Sequence, residues 1–215
     1  MLRFAEEIIL LLLDDDGRFA RLPSWSLNYA LAGGVLMDLA LENRIDTDLE
    51  KLVLIDSTPL DDSLLDPTLA DIAAGGESDA RYWVGRTASR GEELREEALR
   101  RLMELGILEK RDESFLWVFR ARRYPSIDGK VEREVKLRIM GVLFSDEIPD
   151  PRDIVIICLA DACGIFNELL SSRELESAAP RIHQVRRLDL IGQATTQAIR
   201  DIEVSIATSM NQQLF

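Results

Sequence analysis

The chain has 215 residues, of which 47% are apolar and 30% charged, and its formal net charge is −13. That is too much apolar material for a disordered chain and enough for a packed core, and the length suits one domain over residues 1–215. An acidic surface is repelled on average by nucleic acid and anionic membranes, but exposed charge is screened over about 8 Å, so a local basic patch escapes the average.

Residues 2–13 read as a helix that stops at the turn Asp14-Asp15-Asp16-Gly17. The apolar run 8–13 is short and follows Glu6 and Glu7, so no signal peptide is expected. The acidic turn reads as solvated rather than as a metal site. A loop with Arg18, Arg21, Pro23 and Trp25 follows, and Ser26 is placed to cap a helix running to about residue 42. Gly33 and Gly34 fall inside that helix, where each costs roughly 1 kcal/mol relative to alanine, so another element should pack closely on them.

Residues 51–56 read as a short strand. Asp66-Pro67 opens a helix that Gly75-Gly76 ends, and Ser78 starts another through residue 84. Ser89 and Glu92 have capping-box spacing before an amphipathic helix, with Leu94, Ala98, Leu102 and Leu105 on one face and Gly106 as its stop. Ile107-Leu108 can begin a strand, Asp112-Glu113 a turn, and residues 115–119 its partner, with Phe115, Leu116 and Trp117 on the second strand. A helix followed by two strands is the outline of a winged-helix unit.

Val131, Val135, Ile139 and Val142 mark a further amphipathic helix. Asp150-Pro151 opens a buried helix over residues 154–170, which is too short and too interrupted by Asp161 to span a bilayer. More helix is expected from about residues 181 and 191. Cys158 and Cys163 lie about 7.5 Å and 140° apart on a helix, which suits neither a disulfide nor shared metal ligation, so they read as reduced buried thiols.

Nothing points to catalysis. His183 stands alone without a nucleophile context, and no glycine-rich phosphate loop is present, so no enzyme, cofactor or metal site is expected. Charge is more informative. Residues 81–101 carry six arginines and four glutamates (+2), and residues 120–138 carry seven basic and three acidic residues (+4), so the remainder carries −19. The basic segments read either as a solvated, self-paired face or as a phosphate-binding face. Nucleic acid fits poorly, because the helix that would enter a groove carries five glutamates, Glu92, Glu93, Glu96, Glu97 and Glu104. Trp25 reads equally as a membrane-interface anchor or as a helix-entry staple.

An ordered set of segments resembles the Golgi phosphoprotein 3 family. The set comprises Glu6-Glu7-Ile8-Ile9-Leu10-Leu11-Leu12 through Asp16-Gly17, then Leu31-Ala32-Gly33-Gly34-Val35-Leu36-Met37-Asp38-Leu39-Ala40-Leu41. Leu64-Leu65-Asp66, Leu102-Met103-Glu104-Leu105-Gly106-Ile107-Leu108 and Ile157-Cys158-Leu159-Ala160-Asp161-Ala162 complete it. The likeness covers roughly residues 2–205. It implies a mainly α fold, a helical domain around a central apolar helix (residues 154–170), with a winged-helix-like unit and a β-hairpin at about residues 108–119 used in self-association. It also implies phosphatidylinositol 4-phosphate binding by a peripheral, non-enzymatic adaptor and, in eukaryotic members, Golgi retention of glycosyltransferases.

The family's lipid site uses a tryptophan after the first helix, an arginine early in the next helix, and two arginines three apart before the hairpin. Arg95 matches the second of that pair. Glu92 stands in place of the first, Ala32 in place of the early-helix arginine, and Trp25 is shifted by about two positions. Arg18, Arg21, Arg86 and Arg90 lie near the same loop or helix start and can rebuild an anion site. The expected binding set is therefore Arg95, Trp25, Arg90 and Arg86, on a cytoplasmic protein that meets a membrane surface. The alternative is a protein-interaction module that oligomerises through the hairpin and has lost its lipid.

Overall fold

The computed structural model describes residues 1–47, 51–76, 78–115, 119–189, 193 and 195–201. Helices α1 (Phe4–Leu12) and α2 (Ser24–Leu41) form the centre. Every residue of α1 is buried, and α2 packs against α1, α3 (Asp66–Gly75), α4 (Ala80–Ala88), α5 (Gly91–Glu104) and α7 (Pro151–Ala162). Helix α6 (Lys130–Leu143) lies against α1 and α7, and α9 (Ser172–Arg186) against α7. The fold is mainly α, as expected, but α7 shares the centre with α1 and α2.

The two glycines of α2 are explained by packing. A Cβ on Gly33 would lie 2.5 Å from a Leu159 methyl, and one on Gly34 would lie 3.1 Å from Phe4 Cβ. Without side chains there, α7 and α1 approach the α2 backbone directly, and the dense packing that results offsets the low helix propensity.

Strands are few and peripheral. β1 (Ile45–Thr47) pairs antiparallel with β2 (Leu52–Leu54). β3 (Arg111–Phe115) pairs antiparallel with β4 (Phe119–Arg123), and their main contacts are with each other. The helix-then-hairpin order is present, but the hairpin sits later than residues 108–119. Asp112 and Glu113 are strand residues, not a turn, because the ladder that sets Asp112 opposite Arg122 and Glu113 opposite Ala121 runs on to the Phe115–Phe119 pair. Phe115 ends β3, while Leu116 and Trp117 lie outside the described residues.

Four helix boundaries also differ from expectation. α2 starts at Ser24, so Ser26 is inside its first turn, and its buried hydroxyl donates to the Cys163 carbonyl instead of capping. Ser89 ends α4, and its hydroxyl donates to the Arg86 carbonyl, so it does not box with Glu92; Arg90 is the cap residue of α5. The helix expected over 154–170 breaks at Gly164 (φ +67°), which no β-carbon-bearing residue adopts cheaply, and resumes as the short α8 (Phe166–Leu169). α9 then begins on a capping box between Ser171 and Glu174, well before residue 181.

A buried ionic network locks α1 in place. The Phe4 N–H, an orphan of the α1 N-terminus, donates at 2.8 Å to the buried Asp38 carboxylate on α2. Arg152 on α7 reaches Asp38 at 3.4 Å and the Leu2 carbonyl at 2.8 Å, and its guanidinium lies 4.0 Å over the Phe4 ring. Buried Glu7 takes Arg138 at 2.5 Å, and buried Glu6 takes Arg101 at 2.8 Å.

Burial pushes the Asp38 carboxyl up to about 6, against the pull of the Phe4 N–H and of Arg152 and Arg3. A carboxyl raised on folding stabilises the fold fully below its unfolded value of 3.8, and this contribution is lost as pH rises through about 6. Urea unfolding should therefore show stability rising by about 1 kcal/mol between about pH 7 and pH 5. Asp38→Asn, which keeps an acceptor for the Phe4 N–H, should flatten that rise; an unchanged pH slope in the variant would rule Asp38 out as its source.

Candidate functional site

The expected binding residues gather where the α1–α2 loop meets α4 and α5. The loop is shaped by Asp14, whose carboxylate accepts from the Asp16 and Arg18 N–H groups at 3.0 and 2.8 Å. The acidic run is thus a self-satisfied turn. Gly17 then lays the loop on the chain just past β4, with its carbonyl accepting the Tyr124 N–H at 2.8 Å. Phe19 meets Tyr124 edge-on, with ring centroids 6.3 Å apart.

The start of α5 is brought in by Gly91. A Cβ there would overlap the Asn28 side chain at 2.3–2.5 Å, so only glycine lets α5 begin this close to α2. Trp25 is in the first turn of α2 rather than in the loop; it is half-buried, and its ring centroid lies 6.3 Å from that of Tyr29. Tyr29 in turn lines an open groove of about 640 Å³ with Arg81, Tyr82 and Arg86. Trp25 and Arg86 therefore share one aromatic and basic face through Tyr29.

Each expected arginine already has an acidic neighbour. Arg86 grips Asp71 with two bonds of 2.7 and 2.6 Å, which hold the Asp71 carboxyl below its usual range. Arg90 pairs with Glu93 at 2.9 Å, and Arg95 with Glu92 at 2.5 Å, while the Arg95 guanidinium lies 5.9 Å from the Phe19 ring centroid. Arg18 pairs with Asp16 at 3.2 Å, whereas Arg21 is exposed with no charged partner among the described residues. Ala32 is fully buried.

These pairs do not close the site. Exposed ion pairs contribute about 0–1 kcal/mol each, whereas a charge-assisted bond to a phosphate is worth about 1.5–3 kcal/mol.

Of the other sequence candidates, His183 is exposed on α9. Cys158 and Cys163 are buried free thiols, and burial holds the Cys158 thiol far above its ordinary range, so it is inert as a nucleophile. Among the described residues, no group of three or more His, Cys, Asp or Glu could hold a metal ion, and no helix is long and apolar enough to cross a membrane.

Residues 4–202 match the profile of Golgi phosphoprotein 3 (GPP34), which covers all the elements above. The chain belongs to the Golgi phosphoprotein 3 family. Over 247 aligned residues it is 22% identical to vacuolar protein sorting-associated protein 74 of Eremothecium gossypii, covering 98% of this chain and 74% of that protein. The Golgi phosphoprotein 3 fold is thus carried here by α1 and α2, with the α1–α2 loop and the hairpin base in direct contact through Gly17 and Tyr124. Sequence reasoning misses the buried acids that hold this core together. Their signal is available, since Glu6, Glu7 and Asp38 stand inside runs that are otherwise apolar.

Proposed function

We propose that this chain is a non-enzymatic adaptor that works from the cytoplasm on a membrane surface and recognises phosphatidylinositol 4-phosphate. The headgroup would meet the face made by the α1–α2 loop, the first turn of α2, α4 and the start of α5. The observation that carries this reading is the groove where Arg86 and Arg81 stand beside Tyr29 and Tyr82, next to Trp25. Aromatic side chains seat a protein at the headgroup level, and each nearby cation adds about 1 kcal/mol of attraction to an anionic surface.

Sedimentation with vesicles containing phosphatidylinositol 4-phosphate tests it. The wild type should pellet with these vesicles and not with vesicles of phosphatidylinositol, and Arg86→Ala and Arg95→Ala should each weaken binding by roughly fivefold or more. Equal behaviour on both vesicles, with no effect of either substitution, would refute the proposal. Glu92→Arg changes the local charge by two and removes the acid paired with Arg95, so it should tighten vesicle binding by about tenfold or more.

A second reading is supported by the hairpin. A two-stranded ribbon whose main contacts are internal is marginal alone, and among the described residues neither strand has a ladder partner on its outer edge. Self-association through β3 and β4 would supply the missing partner. Light scattering after size exclusion should show a larger particle for the wild type than for a variant with residues 111–123 replaced by a short turn; equal masses would exclude this role.

A further inference from the structure

Trp83, Val84, Thr87 and Ala88 are buried on α4, which packs against α2. Tyr82, Gly85, Arg86 and Ser89 fall at i, i+3, i+4 and i+7, so they form a second stripe along the helix. All four line the groove of about 640 Å³, together with Tyr29 of α2 and with Asp79 and Arg81 from the start of α4. That volume falls within the range of ligand clefts, about 300–1,000 Å³.

Gly85 lies in the interior of α4, where glycine is disfavoured relative to alanine. Gly33, Gly34 and Gly91 are offset by close packing, since their β-carbons would lie 2.5, 3.1 and 2.3 Å from a neighbour. A β-carbon on Gly85 would meet nothing within 4 Å, and its φ is not positive. Gly141 of α6 is equally open, so an open glycine marks nothing by itself. Gly85 differs because two tyrosines and two arginines share its groove. A missing side chain in a walled groove leaves clearance for a ligand that comes down onto the helix backbone.

The groove holds no excess of positive charge. Arg86 is matched by Asp71, and Arg81 shares the groove with Asp79. Guanidinium donors beside a carboxylate acceptor suit hydroxyl groups, which both donate and accept. Aromatic faces suit the apolar C–H face of a ring. Both aromatic walls are held in place, Tyr29 against Trp25 and Tyr82 edge-on against buried Trp83, with centroids 6.3 and 5.1 Å apart. A six-membered ring rich in hydroxyls matches this combination. We propose that the groove seats the inositol ring of the headgroup on the Gly85 backbone, between Tyr29 and Tyr82, with ring hydroxyls bonded to Arg81, Asp79 and Arg86. This rests on the phosphoinositide function proposed above and makes Gly85 and Tyr82 determinants of what that site accepts.

Gly85→Leu fills the groove where space is open and improves helix propensity, so its urea midpoint should equal or exceed that of the wild type. Its binding to vesicles containing phosphatidylinositol 4-phosphate should weaken about tenfold or more. Tyr82 is exposed, and Tyr82→Leu should weaken vesicle binding about fivefold, whereas Tyr82→Phe, which keeps the ring, should stay within about twofold of the wild type. Isothermal titration with inositol 1,4-bisphosphate separates the sources. Binding of this soluble probe that Gly85→Leu abolishes extends the site to the free ring, and loss on vesicles alone ties the ring to the lipid; both support the proposal. Binding of either probe that Gly85→Leu leaves unchanged would overturn it, and if vesicle binding still depends on Arg86 the proposed function stands. A lowered urea midpoint in Gly85→Leu would show that the position is packed within the chain, and equal effects of Tyr82→Leu and Tyr82→Phe would show that no ring is stacked there; either result overturns the proposal. Absence of wild-type binding to the vesicles would overturn both this proposal and the function it rests on.

Discussion

Gly17→Ala should destabilise the protein by about 3 kcal/mol or more, through two independent causes. Gly17 has φ +73°, which costs a residue bearing a β-carbon about 1–2 kcal/mol. That β-carbon would also lie 2.1 Å from Pro125 N and 2.2 Å from the Tyr124 carbonyl carbon. Both are backbone atoms, so no side-chain rotation relieves the clash. The loop must lift away, losing the bond from the Tyr124 N–H to the Gly17 carbonyl and the Phe19–Tyr124 edge contact. Urea unfolding reads the loss. Because the same loop carries Phe19 to Arg95, vesicle binding should fall as well. A shift below about 0.5 kcal/mol, the range of ordinary surface substitutions, would show that the loop is not docked on the end of the hairpin.

Arg101→Met should cost about 3–5 kcal/mol. Arg101 donates to Glu6 at 2.8 Å and to Asp62 at 2.9 Å, and both carboxylates are buried. Burial alone would lower the affinity of Arg101 for its proton, but Glu6 and Asp62 outweigh it and hold the guanidinium more firmly charged than usual. Methionine keeps the aliphatic stem and leaves Glu6 with only the Arg3 N–H among the described bonds. The large cost comes from the stranded carboxylate and not from the worth of the pair, since a buried pair gains little over apolar packing. The double variant Glu6→Leu/Arg101→Met should accordingly recover much of the loss. If the double variant is as unstable as the sum of the singles, the stranded charge is not the cause.

How much of this fold is legible in the chain follows from which signals are local. α6 and the close of α3 are readable because apolar periodicity and terminating glycines lie within a few residues of each other. Ser26 and Ser89 mislead for one reason: a serine before a helical run suggests a cap, yet each hydroxyl has a different acceptor in the fold, the Cys163 and Arg86 carbonyls. Asp112 and Glu113 suggest a turn because acidic pairs usually make one, and only the partner strand shows the base set opposite Asp112. Gly33 and Gly34 do signal close packing, but their partners, Leu159 and Phe4, are distant in sequence and cannot be named from it.

The candidate site is legible in part. The departures at Ala32 and Glu92 stand in the sequence, as does the surplus of arginine over residues 81–101. The salt-bridge partners of those arginines are partly readable, since Glu92–Arg95 and Arg90–Glu93 are three apart on a helix. Asp71 beside Arg86 is not readable, because the pair joins α3 to α4.

On the surface proposed to face the membrane, Trp25 lies against Tyr29, which shares a groove with Arg81 and Arg86 of α4. The most direct test of that surface is the tryptophan emission of the wild type minus that of Trp25→Phe, recorded with vesicles containing brominated lipid. The difference signal should be quenched when the vesicles also contain phosphatidylinositol 4-phosphate and remain unquenched when they contain phosphatidylinositol. Equal emission on both vesicles would contradict the claim that this face meets a phosphoinositide membrane.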